Sequence, residues 1–212
     1  VRVLMYHDLH EQKADFLTTK IADFEAQMKW LIAQGYQSIS LDQFVAHIEG
    51  KINRADLPEH PVLITFDDGY RSNLSLAFPI LKACGLRATL FACTSFVQEA
   101  EQKAQSRYLT PNQLKQWSDG GMDVGLHSHS HLNYRDSTLL EVTQDLVQSE
   151  TLLRTWGVPH CSVLAYPYGA RPRDPQALAE LKRALRENGI RAAFRIGNRV
   201  EPFVDPAAGS RT

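Results

Sequence analysis

The sequence predicts an α/β fold, a barrel of about seven parallel strands ringed by helices, and three observations lead there. Short apolar runs of strand length recur at residues 3–6, 37–40, 62–66, 88–93, 122–126, 163–165 and 192–196. Helical patterns separate them, and strand, helix, strand repeated along a chain implies parallel pairing. No GxGxxG or phosphate-binding loop follows the first strand, which removes the main reason to prefer an open nucleotide-binding sheet over a barrel.

The helices follow in order. Phe24, Met28, Leu31 and Ile32 form an apolar stripe at helical spacing that Gly35 ends. Leu74, Phe78, Leu81 and Lys82 belong to a second helix ended by Gly85. Thr110-Pro111 reads as an N-cap with proline at the first helical position, and residues 139–156 and 174–188 complete the series. The polar segments 49–60 and 98–108 read as surface insertions outside the barrel. Helical spacing puts Trp117 and Trp156 in helix packing, and Phe203 is a further aromatic able to stack on a sugar ring.

At 212 residues the chain fits one domain, taken as 1–212. It starts at Val1 without a methionine, so it reads as an excised or processed part of a longer chain. The 23 basic and 24 acidic residues leave a net charge of -1, which gives nucleic acid or an anionic membrane nothing to attract and favours a neutral or weakly charged substrate. No signal peptide is visible, and no apolar run approaches the roughly 18 residues of a membrane-spanning helix. Cys84, Cys93 and Cys161 lack CxxC spacing and lie in apolar settings, as buried free thiols do.

Chemistry concentrates where strands end. His7 follows Val3-Leu4-Met5-Tyr6, Asp67 and Asp68 follow Leu63-Ile64-Thr65-Phe66, His127 follows Val124-Gly125-Leu126, and Tyr166-Pro167-Tyr168 follows Val163-Leu164-Ala165. The carboxyl ends of barrel strands hold active sites, so four segments converge on one mouth. Asp68-Gly69 is also a hairpin dipeptide, but the following residues read as a helix and not a returning strand. Two adjacent carboxylates repel unless a cation is near, and a metal ligand beside a catalytic base would resolve that repulsion. His127 and His131 can reach one ion if their loop coils into a turn, with an aspartate from another strand as third ligand. Such a set, with positions left open for water, suits zinc or a related divalent ion. His129 is out of phase with the other two and is given a supporting role, with Ser128 orienting a ligand or fixing the loop. Neighbouring aspartates cannot straddle a glycosidic bond, which argues against a glycosidase.

Thr65-Phe66-Asp67-Asp68-Gly69 is similar to the TFDDG motif of the polysaccharide deacetylases, the NodB-like carbohydrate esterase family four, and His127 to His131 matches their H-[ST]-x-x-H motif. The resemblance spans residues 3–196. It implies a distorted (β/α) barrel and a divalent metal, best zinc with cobalt or nickel as alternatives, held by Asp68, His127 and His131. It also implies Asp67 as the base and an oxyanion donor in the segment Ala165-Tyr166-Pro167-Tyr168-Gly169, for which the amide of Tyr168 is chosen.

Two departures from the family pattern stand out. Ala165 occupies the position of an arginine that usually pairs with the base, leaving Arg71, Arg171 and Arg173 as substitutes, and no histidine follows His160 to serve as the late general acid. His7, at the mouth of the first strand, is assigned that acid role, an arrangement that resembles the poly-β-1,6-N-acetyl-D-glucosamine N-deacetylase subgroup with its circularly permuted motifs. The resemblance implies a polysaccharide or oligosaccharide partner, a further domain in a longer chain, and a bacterial extracytoplasmic setting in the periplasm or at the cell surface. Chitin, peptidoglycan and xylan are alternative substrates. A metal-dependent peptidase or amidase could use the same ligands, and Ala165 with the absent late histidine also admits a degenerate, non-catalytic carbohydrate-binding domain.

Overall fold

Side chains alternate along a strand, so in a curled sheet every second residue faces the interior and its neighbours face the helices. In a computed structural model of the chain, which describes residues 1–196 and the backbone of residues 199–202, this alternation sorts the core into two layers. The strands are β1 (Arg2–Tyr6), β2 (Asp8–His10), β3 (Thr18–Lys20), β4 (Tyr36–Ser38), β5 (His60–Asp68), β6 (Thr89–Ala92), β7 (Asp123–Leu126), β8 (Val163–Ala165), β9 (Ala192–Arg195) and β10 (Arg199–Pro202). The helices are α1 (Ile21–Ala33), α2 (Leu41–Ile48), α3 (Phe78–Ala83), α4 (Thr94–Ala100), α5 (Pro111–Asp119), α6 (Leu139–Thr155) and α7 (Pro175–Glu187).

The main sheet runs β1-β5-β6-β7-β8-β9-β10, with β4 also on β5. All its pairings are parallel except that of β10 with β9. The expected parallel α/β barrel is therefore the observed one, as a curled part-barrel. Val62, Ile64 and Phe66 of β5 pack outward with Met28, Leu81 and Trp117. Leu63 packs inward with Phe91, Val163, Ala165 and Phe194. Helix α2 starts with a capping box between Ser40 and Gln43 and sends Leu41, Phe44 and Val45 into this inner cluster. Leu41 N–H donates to Asp123 Oδ2 at the start of β7, so α2 plugs the amino-terminal end of the barrel. The opposite mouth is left for polar residues. Between β1 and β9 a cavity of about 580 Å³ runs up to Asp67, lined by Val3, Met5, Phe91, Phe194 and Arg195.

Several local expectations change. Strand β4 stops at Ser38 because Ser40 is the cap of α2, and β9 stops at Arg195. Strands β2 and β3, three residues each, form a separate parallel pair and carry too little apolar pattern to be read from sequence. The helix after β5 opens with a π-helical turn, Asn73–Ala77, before α3. Pro79, which has no N–H to donate one turn back, follows that widened turn. Segment 49–60 is not purely a surface insertion, since Leu57 is buried in the inner cluster. Segment 98–108 returns to the mouth, where Tyr108 bridges Tyr70. Trp117 is fully buried and Trp156 packs against the outer core; Phe203 lies outside the described residues. All three cysteines are free, but only Cys93 is buried, with Cys84 and Cys161 partly exposed.

Candidate functional site

Four of the predicted segments meet at the carboxyl mouth. Tyr6 pairs with Phe66 in the β1–β5 register, so the next residues, His7 and Asp67, lie side by side, with His7 Nε2 4.0 Å from Asp67 Oδ2. Asn73 steadies His7 by donating from Nδ2 to its carbonyl at 2.7 Å. At the end of β5, Asp68 directs Oδ1 at two imidazoles, 3.2 Å from His127 Nε2 and 3.1 Å from His131 Nε2. The ligating atoms of Asp68, His127 and His131 all lie within 4.8 Å of one another.

The donor set fits a divalent metal. His127 Nδ1 lies 2.8 Å from the carbonyl oxygen of Ala165, which makes that nitrogen the N–H donor and leaves Nε2 with its lone pair facing Asp68. A backbone carbonyl fixing the tautomer of a ligating histidine is the usual support of a metal site. Asp68 Oδ1 is buried and no N–H or O–H is directed at it. Two imidazoles converging on an orphaned carboxylate oxygen make a three-ligand nitrogen and oxygen set suited to zinc-like ions.

The two neighbouring aspartates differ in electrostatic setting. Burial pushes the Asp67 pKa up, and attraction to the neighbouring imidazoles of His127, His7 and His131 when they carry a proton only partly offsets that effect. Burial acts on Asp68 in the same direction, but the two imidazoles in contact outweigh it and hold its carboxyl well below the usual range. Burial lowers the His127 pKa, yet Asp68, Asp67 and the Ala165 carbonyl together raise it above 6.5. A weakly acidic carboxyl beside a strongly acidic one is the pattern expected of two groups with different tasks.

Among the described residues, non-glycine backbone with positive φ is confined to this mouth. Asp68 (φ 73°), Ser128 (φ 68°), His131 (φ 57°) and Tyr168 (φ 59°) are the non-glycine residues in the left-handed region among the described residues. Such conformations cost of the order of 1–3 kcal/mol each and cluster at functional sites. Tyr168 sits in the turn after β8, whose hydrogen bonds run from Gly169 N–H to Tyr166 O and from Ala170 N–H to Pro167 O, neither using the Tyr168 amide. The Tyr168 ring is exposed and meets His131 edge-on at 4.4 Å. Gly169 is required by contact, because a Cβ there would lie 2.9 Å from Ile196.

His129 stays out of the cluster, with Nδ1 3.0 Å from Thr94 Oγ1. Of the arginines considered as substitutes for the one replaced by Ala165, Arg71 is exposed and Arg173 lines a separate cavity with Tyr134 and Leu139. His7 Nε2 lies 4.0 Å from Asp67 Oδ2. Two further features have no signal in the sequence. Phe96 stacks on His131 at 5.5 Å and on Tyr108 at 4.5 Å, forming an aromatic wall beside the ligands. Asp145 of α6 accepts four hydrogen bonds from the His127–His131 loop; in the sequence it is one of several polar residues on a long helix.

Residues 54–193, well over half of the chain, match the family model described as polysaccharide deacetylase. The chain belongs to the polysaccharide deacetylase family. The family is one of NodB-type hydrolases described by the removal of acetyl groups from polysaccharides. YxkH of Bacillus subtilis is 27% identical over 209 residues, covering 99% of this chain and 66% of that protein. The poly-beta-1,6-N-acetyl-D-glucosamine N-deacetylase of Staphylococcus epidermidis is 27% identical over 193 residues, covering 86% of this chain and 63% of that protein. The chain thus spans slightly less than two thirds of either relative's length. The solved structure of IcaB from Ammonifex degensii superposes with a TM-score of 0.78 at 24% identity, covering 95% of this chain and 85% of that one, a likeness of fold.

Proposed function

We propose that this polysaccharide deacetylase domain is a metal-dependent N-deacetylase of poly-β-1,6-N-acetylglucosamine, acting outside the bacterial cytoplasm. The observation that carries the reading is the juxtaposition, at one barrel mouth, of the Asp68, His127 and His131 cluster with the Asp67 and His7 pair. The early histidine and the likeness to the Staphylococcus epidermidis protein support the β-1,6-linked polymer over chitin, peptidoglycan or xylan.

Asp68 Oδ1, His127 Nε2 and His131 Nε2 would hold a divalent ion, best zinc. Such an ion supplies Lewis acidity toward the acetamide carbonyl and lowers the pKa of water. Asp67, the carboxyl with the raised pKa, takes the proton from the attacking water. The amide of Tyr168 donates to the oxyanion as the carbonyl carbon becomes tetrahedral. His7 gives a proton to the departing nitrogen as the C–N bond breaks, so acetate and a free amine leave. His7 and Asp67 flank the same reacting centre, and their contact keeps donor and acceptor in register.

Acetate release from β-1,6-linked and β-1,4-linked N-acetylglucosamine oligomers, before and after chelation and zinc replacement, tests this. The expected result is release from the β-1,6 series that chelation abolishes and zinc restores. Oligomer binding without acetate release by the zinc-replete protein would overturn the enzyme reading, and release from only the β-1,4 series would overturn the substrate.

A further inference from the structure

We propose that Asp145 is a positioning residue for the metal centre, holding His131 in ligating geometry through the loop it grips. The inference rests on reading Asp68, His127 and His131 as the metal ligands. Asp145 is buried on α6, and its carboxylate meets four donors from the loop. Oδ1 accepts from Ser128 Oγ at 2.6 Å and from His129 N–H at 2.7 Å. Oδ2 accepts from Ser130 N–H at 2.8 Å and from Ser130 Oγ at 2.6 Å. These four donors fill the acceptor sites of a carboxylate, and charge-assisted bonds of this length are the strong ones.

The grip extends to the ligand itself. Ser128 Oγ, while donating to Asp145, accepts from Leu132 N–H at 2.9 Å, so the backbone is closed over on both sides of His131. Ser128 and His131 are the two residues of this loop in the left-handed region, and a conformation of that kind persists only where surrounding contacts over-determine it. On the other side, Thr94 N–H and Ser95 N–H at the start of α4 donate to the carbonyls of Ser128 and His129. The two histidines are not equally dependent on this clamp. His127 leaves a paired strand and has its own tie to Ala165 O, whereas His131 is held by the loop and by ring contacts. Loosening Asp145 therefore acts chiefly on His131.

The test measures zinc affinity with a competing chelator dye, and the visible spectrum of the cobalt-substituted protein, for the wild type and three variants. Asp145→Asn keeps the shape but turns an N–H₂ toward one of the two pairs of donors, and is expected to weaken zinc binding about 10–100-fold and to shift the cobalt bands. Ser130→Ala removes a single bond from an exposed residue, is expected to weaken binding a few-fold, and decides the matter if Asp145→Asn does not fold. Thr138→Ala removes the cap of the same helix without touching the loop, and should lower Tm while leaving zinc affinity and the cobalt spectrum unchanged. Asp145→Asn with wild-type affinity and spectrum, or Thr138→Ala with the same loss as Asp145→Asn, would overturn the role of Asp145. A wild-type protein that binds no zinc would instead overturn the metal reading on which it rests.

Discussion

The two ends of the barrel differ in how their charged groups are partnered. At the amino end Asp123 receives Arg87 Nη2 at 2.8 Å and Leu41 N–H at 2.9 Å, and Arg191 grips Glu49 through Nε and Nη2 and Asp42 through Nη1. Each charge there has a protein partner, and the backbone around them is ordinary. At the carboxyl end Asp68 Oδ1 is buried without a donor, Asp67 is held in its weakly acidic state by burial, and four residues adopt strained backbone. Charges satisfied internally serve stability, and charges that converge unsatisfied suit the ion proposed for this mouth. Conserving one end and reacting at the other is the division of labour that barrel folds share.

Substitutions at the mouth should therefore alter chemistry with little effect on folding, and substitutions at the amino end the reverse. The largest effect is expected from Asp67→Asn, which should lower the rate of acetate release about 10²–10⁴-fold while oligomer binding persists, as followed by acetate assay and calorimetry. His7→Asn should lower the rate about 10²-fold, with the loss greatest for substrates whose leaving amine most needs a proton.

Acidity gives a third test. Because His127 has a folded pKa above 6.5, the metal-free protein keeps the stability of its protonated contact with Asp68 below pH 6.5 and loses it as pH rises through the folded value. Zinc competes with that proton, so the Tm of metal-free protein should fall above pH 6.5 while the increment given by zinc grows. An increment that stays flat with pH would place the ion elsewhere. Tyr168→Gly suits a position at φ 59° and retains the amide, so less than about tenfold loss of rate is expected if the backbone and not the ring is the donor. The smallest effect on chemistry belongs to Arg191→Ala, which should cost about 1 kcal/mol of stability in denaturant titration and leave zinc affinity and acetate release unchanged.

Much of this contrast is legible in the sequence, because strand ends are marked by where apolar runs stop. His7, the Asp67-Asp68 pair, His127 and Tyr168 each stand just past such a stop, and the parallel order of β1, β5, β7 and β8 brings them to one mouth. His129 is out of phase with His127 and His131 in the sequence, and its Nδ1 lies 3.0 Å from Thr94 Oγ1. What the sequence hid depends on contacts between distant elements. Asp145 lies on a helix many residues from the loop it holds, Phe96 meets Tyr108 only because segment 98–108 folds back, and the support of His127 by Ala165 uses a carbonyl that every residue possesses. Backbone strain at Tyr168 has no signature in residue type either, since tyrosine is not among the residues that favour the left-handed region.

The most direct measurement is a crystal structure of the zinc-loaded protein with anomalous scattering at the zinc edge. A single peak within ligating distance of Asp68 Oδ1, His127 Nε2 and His131 Nε2, with Asp67 and His7 unligated beside it, is the predicted result. A peak coordinated by Asp67 or His129, or none at this mouth in protein that releases acetate, would contradict it.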